Sequence, residues 1–84
     1  MYNIVFSEKA KKQFLKLSKE IQKRIINALD RIKIRPEVYV TKLVGDSSFR
    51  LRVGDYRVIL DINKSKLLIL VVKAAHRKNI YKNL

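Results

Sequence analysis

Arg50, Arg52, Arg57 and Arg77 are four of the chain's seven arginines, and all four fall in its C-terminal half. A guanidinium is planar and permanently charged, and its paired N–H groups match two oxygens of a phosphate. Several of them brought to one place can hold an anion and stabilise the charge that develops on it during a reaction. His76 precedes Arg77, and Tyr81 follows it by four residues. On a helical tail that spacing puts Arg77 and Tyr81 on one face, a basic group beside a phenol. Read as structure alone, Tyr81 is equally a packing residue with its hydroxyl at the rim. His76, the single histidine, reads as a helix-start or surface residue before it reads as a catalyst.

The elements that must position these groups are legible from periodicity. Phe49, Leu51 and Val53 alternate with Ser48, Arg50 and Arg52, which marks a strand with distinct faces. A second alternating run, Tyr56 to Ile62, begins after Gly54 and Asp55, a pair suited to a two-residue II′ hairpin turn. That turn pairs Val53 with Tyr56, Arg52 with Arg57, Leu51 with Val58 and Arg50 with Ile59. Directly paired residues share a face. Phe49, Leu51, Val53, Tyr56, Val58 and Leu60 therefore point to the core, and Arg50, Arg52 and Arg57 meet on the other side. Like charges opposite one another cost something like 0.2–1 kcal/mol per pair, so such a cluster calls for a balancing anion, with phosphate the natural one. The bland alternative is a solvated sheet face, which is what most charge runs are.

Upstream, Tyr2 to Phe6 suits a short strand, and Ser7 and Ser18 can each cap a helix. Ala10, Phe14 and Leu17 form a narrow apolar stripe on the first helix; Ile21, Ile25, Ala28, Leu29 and Ile32 repeat on the second. Pro36 biases Arg35 out of the helix. Leu67 to Lys73 is a third C-terminal strand, almost wholly apolar and so central, and His76 to Leu84 is expected to form a short helix. The predicted fold is α+β: an N-terminal strand, a helical hairpin, then a three-stranded antiparallel meander and a short C-terminal helix, the helices packed on one face of the sheet.

Composition sets the bounds. Eighty-four residues make one domain, 1–84, because two cores would each be too small. No cysteine is present, which removes disulfides and thiolate chemistry and fits a cytoplasmic location. The start does not read as a signal peptide, and the longest apolar run, Leu67 to Val72, is far short of a membrane span. The net charge is +13, split +7 and +6 about Lys42, so it belongs to the folded surface rather than to a tail. Either nucleic acid or an anionic membrane could meet it; no helix combines aromatic anchors with a lipid face, which favours nucleic acid. One histidine, no cysteine and seven scattered carboxylates offer little for a metal, so no cofactor is expected.

The string FRLRVGDYRVIL (residues 49–60), preceded by LVGDSSF and followed by an apolar strand and AAHRKNIY (74–81), resembles the RelE/ParE toxin superfamily. The likeness runs over nearly the whole chain. It implies a RelE-like toxin: a ribosome-dependent endoribonuclease, or mRNA interferase, that cuts messenger RNA in the ribosomal A site and is silenced by a cognate RelB-type antitoxin. The family's catalytic basic pair falls on Arg50 and Arg52, its hairpin arginine on Arg57, its tail arginine on Arg77, and its stacking or base tyrosine on Tyr81. Lys73 and Lys78 join the arginines as RNA-binding candidates, with His76 as an auxiliary group. RelE toxins often carry lysine at the positions of Arg50 and Arg52; arginine cannot give up its proton, so the base must lie elsewhere. Tyr81, a phenol among positive charges, is the group left for it. The rival expectations are a ParE-like toxin that poisons DNA gyrase without cutting RNA, and a basic RNA-binding module without catalysis.

Overall fold

The computed structural model describes residues 1–43 and 48–78. The chain runs β1 (Asn3–Phe6), α1 (Glu8–Leu15), α2 (Lys19–Ile32), α3 (Pro36–Tyr39), β2 (Val40–Lys42), β3 (Phe49–Val53), β4 (Tyr56–Asn63) and β5 (Leu68–His76). Among the described residues the strands form a five-stranded sheet in the order β1-β5-β4-β3-β2. All neighbours are antiparallel except β1 and β5, which run parallel.

Local chemistry sets the helix boundaries. The Ser7 hydroxyl accepts from the Ala10 N–H at 3.1 Å and the Ser18 hydroxyl from that of Ile21 at 3.3 Å. Each satisfies a donor that a helix start leaves open. At the other end of α1, the Gln22 side-chain amide reaches back from α2 and donates to the Leu17 carbonyl at 3.0 Å and to that of Leu15 at 3.4 Å. Arg35 stands outside helical geometry, as Pro36 dictates, and Pro36 opens the single turn of α3.

Ile25, Ala28, Leu29 and Ile32 of α2 and Ala10 of α1 bury against Leu51, Val58, Leu60, Ile69, Val71 and Ala74 of the sheet. Phe6 and Phe14 meet edge to face at 5.2 Å, tying α1 to β1. The meander and the helices on one face agree with expectation. Three details differ. The one-turn α3 and the short edge strand β2 were not expected; β5 runs on to His76, where a helix was expected to begin; and Arg77 and Lys78 form a turn. The rest of the expected C-terminal helix lies outside the described residues.

β5 also carries an irregularity that matters for the site. Ile59 pairs with Lys73 but Leu60 pairs with Val71, so Val72 is an extra residue, a bulge. Simple alternation would place Lys73 on the core side with Ile69 and Val71. The bulge reverses the phase, so Ala74 and His76 take the core side and Lys73 and Ala75 the other. No helix among the described residues is long and apolar enough to cross a membrane.

Candidate functional site

The β3–β4 hairpin has the register expected from its sequence: Arg50 opposite Ile59, Leu51 opposite Val58, Arg52 opposite Arg57 and Val53 opposite Tyr56. Gly54 takes φ +59°, and Asp55 is not among the residues with positive φ, which fits Gly at the first central position of a II′ turn. On the face away from α1 and α2, Arg50, Arg52 and Arg57 line a cleft of about 290 Å³ together with Tyr39, the last residue of α3, and Thr41. The structure thus brings three of the four arginines into one place. Among the described residues, no carboxylate lines the cleft.

The three arginines are not equivalent. Arg57 is only 8% exposed, and its Nη1 donates to the carbonyls of Gly54 at 3.0 Å and Tyr56 at 3.1 Å. It braces the turn from which the other two are held. Arg52 is exposed and Arg50 half-buried.

Arg77 lies one residue past β5, exposed, and its backbone N–H donates to the Asp55 carbonyl at 2.8 Å. That bond anchors it beside the hairpin turn. His76 pairs with Tyr56, and the two rings meet edge-on at 5.3 Å. Its Nδ1 accepts from the Lys78 N–H at 3.2 Å, so the neutral ring carries its proton on Nε2. The pairing with Tyr56 puts His76 on the opposite side of the sheet from the arginine cleft. Tyr81 lies outside the described residues. Lys73, expected as a surface contact for RNA, is instead interior at 4% exposure; burial first, and then the neighbouring Lys9, push its ammonium below its ordinary 10.5. Lys78 is exposed. Among the described residues no three His, Asp or Glu side chains group as a metal site.

The family model for the ParE toxin of type II toxin–antitoxin systems, parDE, matches residues 4–81. The chain belongs to this family. It is a toxin of the RelE/ParE superfamily, from a toxin–antitoxin system. Its fold is that of solved RelE structures. A chain of the toxin–antitoxin complex RelBE2 from Mycobacterium tuberculosis superposes with a TM-score of 0.83 at 22% identity, covering 90% of this chain and 98% of that one. The isolated RelE toxin of E. coli gives 0.81 at 20% identity over 90% and 84%. A chain of the archaeal RelE–RelB complex from Pyrococcus horikoshii OT3 gives 0.76 at 29% identity over 90% and 94%. No curated protein matches the chain.

Two cleft residues of the toxin escaped the sequence reading, Tyr39 and Thr41. Thr41 enters because β2 pairs with β3 and sets it opposite Arg50. Tyr39 precedes it by two, 46% exposed, and gives the cleft an aromatic wall.

Proposed function

We propose that this toxin is a ribosome-dependent endoribonuclease that inhibits translation by cutting messenger RNA in the A site. The observation that carries the reading is the cleft in which Arg50, Arg52 and Arg57 converge with an aromatic side chain. Three converging guanidinium groups suit a phosphodiester, and Tyr39 suits a base stacked beside it. In the reaction, the 2′-hydroxyl oxygen of one nucleotide bonds to the adjacent phosphorus as the bond to the 5′-oxygen of the next nucleotide breaks. The products are a 2′,3′-cyclic phosphate and a free 5′-hydroxyl.

Arg50 and Arg52 would hold the non-bridging oxygens as charge builds on them. Arg57 would add its charge and, through the Gly54 and Tyr56 carbonyls, fix the hairpin in the geometry that the others need. Arg77 at the turn is assigned to stabilise the charge on the leaving 5′-oxygen, which takes its proton from water; His76, edge-on to Tyr56 on the other side, is not. The 2′-proton is assigned to Tyr81, on the family likeness of the tail. No cofactor enters this scheme. We assign the toxin to the cytoplasm with a RelB-type antitoxin as partner, a reading supported by RelBE complexes among its structural relatives and by its charge of +13.

A second reading has its own support, because the matching family model is that of ParE. ParE-like action on DNA gyrase needs no RNA chemistry. Translating ribosomes and a gyrase supercoiling assay, run with the same preparation, separate the two. New 5′-hydroxyl ends inside A-site codons with unimpaired supercoiling are expected. Inhibited supercoiling with no new RNA ends would replace this function by the ParE one.

A further inference from the structure

A second cationic cleft, of about 320 Å³, lies between α2 and the hairpin and is lined by Arg24, Asn27, Ala28, Arg31, Arg52, Val53 and Gly54. We propose that it is a second RNA phosphate site, which takes the backbone of an RNA strand on the far side of Arg52 from the cleavage cleft. The inference rests on the reading of the toxin as one that acts on RNA.

The helix supplies one wall by simple spacing. Arg24, Asn27, Ala28 and Arg31 stand at intervals of three, one and three residues, a single stripe two turns long. Arg24 and Arg31 are about 10 Å apart along the axis at roughly 1.5 Å per residue. The floor is open because its residues are small. Ala28 is buried at the contact between helix and sheet, and Gly54 has no side chain; a Cβ there would lie 3.6 Å from the Arg24 Nη1.

Little of the charge in this cleft is compensated among the described residues. No acid lines it. Asp30, next to Arg31, is turned to Lys33 at 3.0 Å, and Glu20 meets Arg24 only at 3.9 Å with both side chains exposed. Among the described residues, neither Arg31 nor Arg52 has a carboxylate partner. Arg52 lines both clefts. A polyanion seated on Arg50, Arg52 and Arg57 must continue past them, and the Arg24–Arg31 cleft lies on one way out. That continuity favours nucleic acid over an acidic peptide, whose charge need not follow such a track.

Arg24→Gln combined with Arg31→Gln removes the second site and leaves every residue of the cleavage cleft in place. Fluorescence anisotropy would be read across a salt series with three probes. These are an RNA octanucleotide carrying 2′-O-methyl groups so that it is not cut, ribosomes without messenger RNA, and octaglutamate. The expected result is a loss of about tenfold or more in affinity for RNA, with a salt slope shallower by roughly 1.4 for two lost single-strand phosphate contacts. Loss on the octanucleotide identifies the strand being cleaved as the source of the phosphate; loss on empty ribosomes alone identifies ribosomal RNA. Unchanged binding to both RNA probes, whether or not octaglutamate binding falls, overturns the proposal, as does a native chain that binds neither RNA. A native chain that binds the octanucleotide yet never cuts on ribosomes would remove the cleavage reading and leave this site standing.

Discussion

Arg52 and Arg57 carry the same charge into one cleft, but they should respond differently to truncation. Arg52 is exposed and has no carboxylate partner among the described residues, so Arg52→Ala is expected to lower single-turnover cleavage by about 10²–10³-fold, the loss typical of one preorganised donor, with the melting temperature unchanged. Arg57 also holds two carbonyls of the turn, so Arg57→Ala should lower cleavage and in addition cost about 2 kcal/mol of stability in urea unfolding. Lys73 offers a test by pH. Its folded-state pKa lies below 10.5, so between that lowered value and 10.5 the unfolded chain holds a proton that the folded chain has released. Stability then rises with pH across that window. Compared with Lys73→Met, the native chain is expected to gain stability as pH is raised toward 10.5 in urea titrations, and a pH-independent difference would contradict the burial argument. Nothing in the linear sequence announced this lysine as interior, because Leu67–Val72 is apolar on both faces and carries no phase from which a bulge could be read.

At the scale of elements, the hairpin was the most legible part of the chain. Gly54 and Asp55 confine the turn to one class, and the alternation of Phe49, Leu51 and Val53 leaves only one register that buries them, so the shared face of Arg50, Arg52 and Arg57 followed from sequence. Gly54→Ala is expected to cost about 1–2 kcal/mol because φ +59° is a left-handed conformation, and to lower cleavage by misaligning Arg52 against Arg57. Urea midpoints and cleavage rates on the one variant check both effects. α3 and β2 were not legible because four and three residues are too few to display a period. Their position matters nonetheless: the pairing of β2 with β3 sets Thr41 opposite Arg50, and Tyr39 precedes Thr41 by two residues at the same cleft. Tyr81 lies outside the described residues, so its part in the site still stands on the likeness of the tail to the family.

The whole molecule adds a field to the local chemistry. A charge of +13 spread evenly over both halves steers the toxin toward polyanions and predicts salt-sensitive binding to single-stranded RNA, with roughly −0.7 in the slope of log K against log salt per phosphate contacted. General attraction of this kind would survive the loss of any one side chain, whereas chemistry in the cleft would not. The most direct test of the central claim is therefore single-turnover cleavage of A-site codons on programmed ribosomes by the native chain and by Arg50→Ala/Arg52→Ala, with the amount of toxin bound to ribosomes measured in parallel. The expected result is at least a hundredfold loss of new 5′-hydroxyl ends at equal ribosome occupancy. Undiminished cleavage by the double variant would contradict the assignment of the arginine cleft as the site of phosphate chemistry.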